Sequence, residues 1–248
     1  MKIAVAGATG RVGRHIVDVL ESAGHDAVPM SRATGVDIVT GAGLAEALSG
    51  VEAVVDAATG PSPDEEAATE FFTTAVRNLQ ETGEHAGVQR IVVVSIIGCD
   101  RFTGGYGAAK VAHEQVHLAG PIPVRILRAS QFHEFVEQLV EWGKQGDVSY
   151  VPKMRMQPVA ARTVAEEVVE LATSARNGSP ISEIAGPREE SLVEIAKSFV
   201  ARRGDGLRIV GASTPDDPYR EVYESGALLP GPDATLAGPT FEEWLRSR

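Results

Sequence analysis

A doubly wound α/β fold, a parallel sheet with helices on both faces, is predicted for this 248-residue chain by three observations. Apolar runs of strand length alternate with helical patterns through the first half of the sequence, which implies βαβ crossovers. One of these runs, Ile91-Val92-Val93-Val94, is continuously apolar, as a strand covered on both faces requires. A glycine-rich turn, Gly7-Ala8-Thr9-Gly10-Arg11-Val12-Gly13, joins the first run to the first helical pattern.

The strand-length runs fall near residues 2–6, 26–30, 51–56, 90–95 and 122–128, and the helical patterns near 11–23, 43–49, 64–86 and 106–118. The first helix is read from Val12, Ile16, Val19 and Leu20. Beyond Arg128 the texture changes: Phe132, Phe135, Val136, Leu139 and Val140 predict a helix that leads to Gly143 and Gly146. Strands are expected near 148–151 and 181–185, with a helix of about a dozen residues starting near Thr163 and another over roughly 191–203. The tail is rich in proline and glycine (Leu229-Pro230-Gly231-Pro232). These signals predict a dinucleotide-binding core over residues 1–130 and a small C-terminal substrate-side lobe over 131–248, with one or two segments returning to the sheet.

Composition limits the partners. With 43% hydrophobic and 23% charged residues the chain reads as a folded domain, and its net charge of −11 argues against nucleic acid or an anionic membrane. No apolar stretch approaches the roughly 20 residues of a membrane span, and the N-terminus enters a strand without a signal-peptide layout. A single cysteine, Cys99, excludes an internal disulfide and a cysteine-rich metal site. The expectation is a cytoplasmic protein with a small-molecule substrate and no nucleic-acid or membrane partner, a homodimer being left open.

Strand, glycine turn and helix in that order are the context of a dinucleotide fingerprint, here with G-x-x-G-x-x-G spacing. Glycines let the backbone approach a pyrophosphate, and the N-terminus of the next helix stabilises its charge. Gly7, Thr9, Gly10, Arg11, Val12 and Gly13 are therefore candidate cofactor contacts. An adenosine ribose with a free 2′-hydroxyl is normally read by an acidic residue about 20 residues after the glycines. The second strand instead ends in Met30-Ser31-Arg32. Arg32 can pair with a 2′-phosphate, Ser31 can donate to it, and Arg11 can approach from the other side, which predicts NADP(H) in preference to NAD(H).

Ser95 closes the fourth apolar run, at the edge where ligands of parallel sheets bind. Tyr106 and Lys110 follow at i and i+4, on one face of a helix. The lysine charge is expected to lower the phenol's pKa, making Tyr106 a proton donor or acceptor, with Ser95 holding a carbonyl or alcohol beside it.

Together with the glycine turn, Ser95-Ile96-Ile97-Gly98, Tyr106-Gly107-Ala108-Ala109-Lys110 and Arg125-Ile126-Leu127-Arg128-Ala129-Ser130-Gln131-Phe132 resemble the atypical short-chain dehydrogenase/reductases, most of all their NmrA-like, NAD(P)H-binding branch. The resemblance extends through Ile184-Ala185-Gly186-Pro187 to Thr240-Phe241-Glu242-Glu243-Trp244-Leu245. It implies a Rossmann fold, a nicotinamide cofactor and carbonyl or alcohol redox chemistry. By position, Tyr106 would be the acid/base, Lys110 would hold the nicotinamide ribose and tune Tyr106, and Ser95 would orient the substrate. Asp37-Ile38 and Ala57-Ala58-Thr59 look like the family's adenine and ribose contacts. Where many active members carry an asparagine this chain has Phe71-Phe72, and Asn78 is read as structural.

Ile96, Ile97, Phe132, His133, Tyr150, Met154 and Met156 are the expected pocket walls, suited to a hydrophobic ketone or quinone. A competing motif, His113-Glu114-Gln115-Val116-His117, matches the His-Glu-x-x-His of zinc proteases, with Glu134 or Glu137 as third ligand. It lies on the helix of Tyr106 and Lys110 and is read as that helix's polar outer face, so no metal is expected. The resulting expectation is an NADP(H)-dependent oxidoreductase. A dinucleotide-sensing regulator without turnover and an epimerase or isomerase with resident nicotinamide are the alternatives.

Overall fold

The computed structural model describes residues 1–174 and 179–248. Strands and helices alternate as β1 (Lys2–Ala6), α1 (Gly13–Ser22), β2 (Asp26–Met30), α2 (Leu44–Ala47), β3 (Ala53–Asp56), α3 (Glu65–Ala86), β4 (Arg90–Ile96), α4 (Gly105–Leu118) and β5 (Val124–Ala129). The second half adds α5 (Val136–Trp142), β6 (Lys144–Gln145), β7 (Val148–Pro152), β8 (Arg155–Met156), α6 (Ala161–Thr173) and β9 (Ile181–Ala185). It closes with β10 (Glu190–Ser191), α7 (Leu192–Arg203), β11 (Arg208–Ala212), α8 (Arg220–Glu224), β12 (Thr235–Leu236) and α9 (Phe241–Arg246).

The main sheet has seven strands in the order β12-β9-β5-β4-β3-β1-β2. β1 pairs in parallel with β2 and β3, and β3 with β4, setting Ala4 opposite both Val28 and Val54. Two segments of the second half, β9 and β12, return to this sheet. The chain divides into two compact units, Met1–Arg128 with Val164–Ser182, and Ala129–Thr163 with Glu183–Arg248. It passes between them three times, where the sequence reading placed a single division at residue 130.

In the first unit Ala4, Ala6, Val54, Ile91, Val93 and Ile126 share a buried cluster with Leu44, Leu48, Ala75 and Leu79. Successive strand residues alternate faces. Two residues beyond Val54, Val93 and Ile126, at the carboxyl ends of β3, β4 and β5, the same face therefore carries Asp56, Ser95 and Arg128. A polar layer thus begins where the apolar one stops. Asn78 on α3 donates from Nδ2 to the carbonyls of Ile38 (2.9 Å) and Val39 (2.7 Å), tying the segment after β2 to that helix. In the second unit β11, β7 and β6 form a three-stranded sheet and β8 pairs with β10. α9 opens on a capping box between Thr240 and Glu243.

Candidate active site

The glycines of the first turn have different duties. Gly7 has φ +75°, and a Cβ there would lie 2.7 Å from the Ala57 carbonyl oxygen; at Gly13 it would lie 2.1 Å from Gly7 O. Packing of the turn against residues 57–58 and against α1 thus requires both. Gly10 is exposed, and a Cβ would meet only Gly7 O, at 3.0 Å. Its missing side chain leaves the backbone open to an incoming phosphate. No side chain caps the N-terminus of α1, the end of a helix that favours an anion. Thr9 and Arg11 are exposed beside it, Val12 and Ala58 are buried, Ala57 is half-buried and Thr59 is exposed. These residues fit a dinucleotide pyrophosphate.

At the end of β2, Arg32 is exposed and its side chain makes no hydrogen bond or ion pair among the described residues. The Ser31 hydroxyl oxygen accepts the Thr34 N–H (3.3 Å) in a capping box that shapes the turn after β2. Asp37 Oδ1 accepts the N–H groups of Val39 (2.8 Å) and Thr40 (3.3 Å), while Ile38 joins the buried cluster.

Helix α4 presents Lys110, His113, Glu114 and His117 to the polar layer, all buried. Their spacing, i, i+3, i+4 and i+7, is that of an inward stripe. The expectation of a polar outer face is overturned. Two networks result. In the first, Lys110 Nζ donates to Val94 O (3.0 Å) and lies 2.8 Å from His113 Nδ1, while His113 Nε2 and His117 Nε2 lie 2.9 and 3.0 Å from Asp56 Oδ2. An ammonium only donates, so His113 Nδ1 accepts and the ring proton sits on Nε2, where it is given to Asp56. Asp56 Oδ1 also accepts the Ala58 N–H (3.0 Å). Burial opposes the ionisation of Asp56, yet the bonds from His113 and His117 hold its carboxyl well below the usual carboxylate range. Burial, reinforced by the Lys110 charge, pushes His113 down to about 4.

In the second network Glu114 accepts from Ser95 Oγ (2.5 Å) and takes a fork from Arg128, Nε at 2.9 Å and Nη2 at 2.7 Å. Arg128 Nη1 reaches Asp100 (3.1 Å), and Cys99 Sγ lies 3.5 Å from Glu114. Burial acts against the Glu114 charge, but Arg128 and Ser95 together hold its carboxyl below the ordinary value. Ser95, expected to orient substrate, is 2% exposed with its proton given to Glu114.

Tyr106 stands at the start of α4, packed edge-on to Phe72 with ring centroids 5.9 Å apart. Its phenol makes no hydrogen bond among the described residues. The expected lowering by Lys110 does not occur. Burial, and then the Asp56 charge, push Tyr106 up to about 12. The reason is direction: Lys110 turns to Val94 O and to His113, with its Nζ 4.7 Å from the Phe72 ring centroid. Burial brings Lys110 itself down to about 8, against the raising charges of Asp56 and Glu114.

The carboxylate gathered with the two histidines is Asp56, not Glu134 or Glu137; the ligand atoms of Asp56, His113 and His117 lie within 4.8 Å of one another. Glu134 accepts the Ala161 N–H (3.1 Å) and pairs with Arg248. A metal among Asp56, His113 and His117 would have to displace both imidazole hydrogen bonds. It would also leave His113 Nδ1–H facing the Lys110 ammonium, donor against donor. The purified protein is accordingly expected to carry no stoichiometric zinc, with chelators leaving its melting temperature unchanged. One zinc per chain by elemental analysis, lost in His117→Ala, would restore the metal reading.

The expected pocket walls divide between the units. Ile96 and Ile97 belong to the first, with Ile97 buried. In the second, Phe132 bridges to Val159, Met154 and Met156 are buried and Tyr150 is exposed. His133 is buried against Phe241 and Trp244 and lies 3.1 Å from Pro239 O, which gives it a packing task rather than an open substrate position.

A family model described as NAD(P)H-binding matches residues 7–175, and the chain belongs to that family. The sheet and its flanking helices are those of short-chain dehydrogenase/reductase structures. Among similar solved structures is MoeE5 in complex with UDP-glucuronic acid and NAD, 20% identical at TM-score 0.74, covering 100% of this chain and 97% of that one. UDP-N-acetylglucosamine 4-epimerase from Bacillus cereus is 18% identical at TM-score 0.72, covering 100% and 94%. The dTDP-4-dehydrorhamnose reductase of Bacillus anthracis str. Ames, in complex with NADP, is 18% identical at TM-score 0.69, covering 98% and 96%. At these identities the likeness is one of fold. No curated protein matches the chain. No helix among the described residues is long and apolar enough to cross a membrane.

Proposed function

We propose that the protein is an NADP(H)-dependent oxidoreductase of the NmrA-like type that reduces the carbonyl of a small hydrophobic ketone or quinone. The observation that carries this reading is Tyr106, a half-buried phenol with no hydrogen-bond partner among the described residues, in a chain with a dinucleotide turn. Gly10 and the uncapped start of α1 would hold the pyrophosphate and Arg32 a 2′-phosphate. The cofactor, when bound, supplies a hydride equivalent to a carbonyl carbon. A phenol pushed up to about 12 stays protonated at neutral pH, so Tyr106 serves as donor to the developing alkoxide, which favours reduction over alcohol oxidation. Lys110 contributes a positive charge near the developing negative one and, with two of its three N–H groups engaged, one remaining donor.

Ser95 supports a second reading. With its hydroxyl committed to Glu114, the substrate-orienting role implied by resemblance has no obvious holder, as in a dinucleotide sensor that turns nothing over. Two assays separate the readings. NADPH consumption in the presence of ketones and quinones supports the enzyme; NADPH binding with no consumption supports the sensor. Cofactor choice is tested separately. NADPH should bind at least roughly tenfold more tightly than NADH, since a charge-assisted contact contributes about 1.5–3 kcal/mol. Arg32→Ala should erase that difference; equal affinities in the wild type contradict the assignment.

A further inference from the structure

Lys110 has a task in the proposed reaction, whereas Asp56 and His113 have none, although buried polar groups are costly unless fully partnered. Each is fixed from more than one side. Asp56 is held by the Ala58 N–H and by His117, and His113 lies against the Phe72 ring at 4.5 Å between centroids. The imidazole bridges a buried cation and a buried anion, accepting from Lys110 and donating to Asp56. With Val94 O as second acceptor, the ammonium is gripped at two of its three donors.

We propose that Asp56 and His113 are positioning residues that clamp the Lys110 ammonium, leaving one N–H of fixed direction for a bound dinucleotide or substrate. The clamp rests on the oxidoreductase reading only for the identity of that ligand. Each member has a distinct part. His113 sets where the ammonium points, because a side chain with four rotatable bonds otherwise has no fixed aim. Asp56 fixes the tautomer of His113 and raises the proton affinity that burial takes from Lys110. The charged or titratable groups acting on Lys110 are Asp56 from β3, Cys99 from the segment after β4, and His113 and Glu114 from α4 itself.

The test is lysine NMR on the full chain labelled at Cε and Nζ, with the Lys110 signal assigned by its loss in Lys110→Met. In the wild type the Lys110 ammonium should show slow proton exchange and titrate near 8. His113→Leu removes acceptor and donor, so the slow exchange should be lost and NADPH should bind roughly tenfold more weakly, about one charge-assisted hydrogen bond. His113→Gln keeps an amide acceptor and donor and should restore most of both. Asp56→Asn keeps an acceptor oxygen without the charge, and Lys110 should then titrate lower than in the wild type. That variant decides the matter should His113→Leu fail to fold. Unchanged Lys110 exchange in His113→Leu, or unchanged titration in Asp56→Asn, overturns the clamp. None of these readouts needs turnover. If the wild type binds NADPH but consumes none with ketones or quinones while His113→Leu frees Lys110, the reaction assignment falls and the clamp stands.

Discussion

Tyr106→Phe should lower turnover by about 10²–10⁴ and leave fold and NADPH affinity intact, the usual worth of a positioned acid or base. The phenol oxygen makes no hydrogen bond within the described protein, so its removal breaks no packing network, and the ring keeps its edge contact with Phe72. Lys110→Ala should damage both turnover and cofactor affinity, because the ammonium carries both charge and a donor. The pH profile separates the two groups. Tyr106, up at about 12, keeps its proton across the neutral range, while Lys110 titrates near 8. Activity should therefore fall as pH rises through about 8, with the loss of the ammonium, and not earlier. Steady-state rates from mildly acid to alkaline pH test this; Tyr106→Phe turning over at the wild-type rate removes Tyr106 from the mechanism.

Arg128→Ala should destabilise the fold by about 3 kcal/mol, because it strands the Glu114 carboxylate in a buried layer. The Glu114 side chain is only 4% exposed and the Arg128 side chain 14%, so water can do little to replace the lost cation. For a chain of this size that corresponds to a melting temperature lower by roughly 10 °C. The sign with pH follows from Glu114. Its folded carboxyl is held below the ordinary 4.5, so the stabilisation is present above that value and is lost as pH falls through the lower folded one. Thermal melts of the wild type should show that acid limb, and Arg128→Ala should flatten it. A melting temperature within a degree or two of wild type would mean that the fork contributes little.

The first half of the fold was legible because its signals are local: apolar runs, a glycine turn and helical periodicity each reside within one element. The strands from Lys2–Ala6 to Val124–Ala129 fall within a few residues of the predicted runs. The polar layer was not legible, since it depends on parity between distant strands. Asp56, Ser95 and Arg128 share a face only because Val54, Val93 and Ile126 do, two residues earlier. The spacing of Lys110, His113, Glu114 and His117 was visible, but read alone it suits an exposed polar face as well as a buried one. Knowing that α4 packs on α3 and β4 decides between them. The direction of Lys110 was likewise hidden: i, i+4 spacing brings it near Tyr106, while the stronger acceptors, Val94 O and His113 Nδ1, draw it the other way.

Carbonyl reduction by this NAD(P)H-binding chain is tested most directly by single-turnover mixing. Protein loaded with one equivalent of NADPH is mixed with phenanthrenequinone, and in parallel with acetophenone, while NADPH absorbance and the reduced product are followed together. NADPH should disappear in step with the appearance of hydroquinone or alcohol for at least one of the two, and Tyr106→Phe should slow this by about 10²–10⁴. NADPH that binds stoichiometrically and persists unchanged with both carbonyl classes would contradict carbonyl reduction.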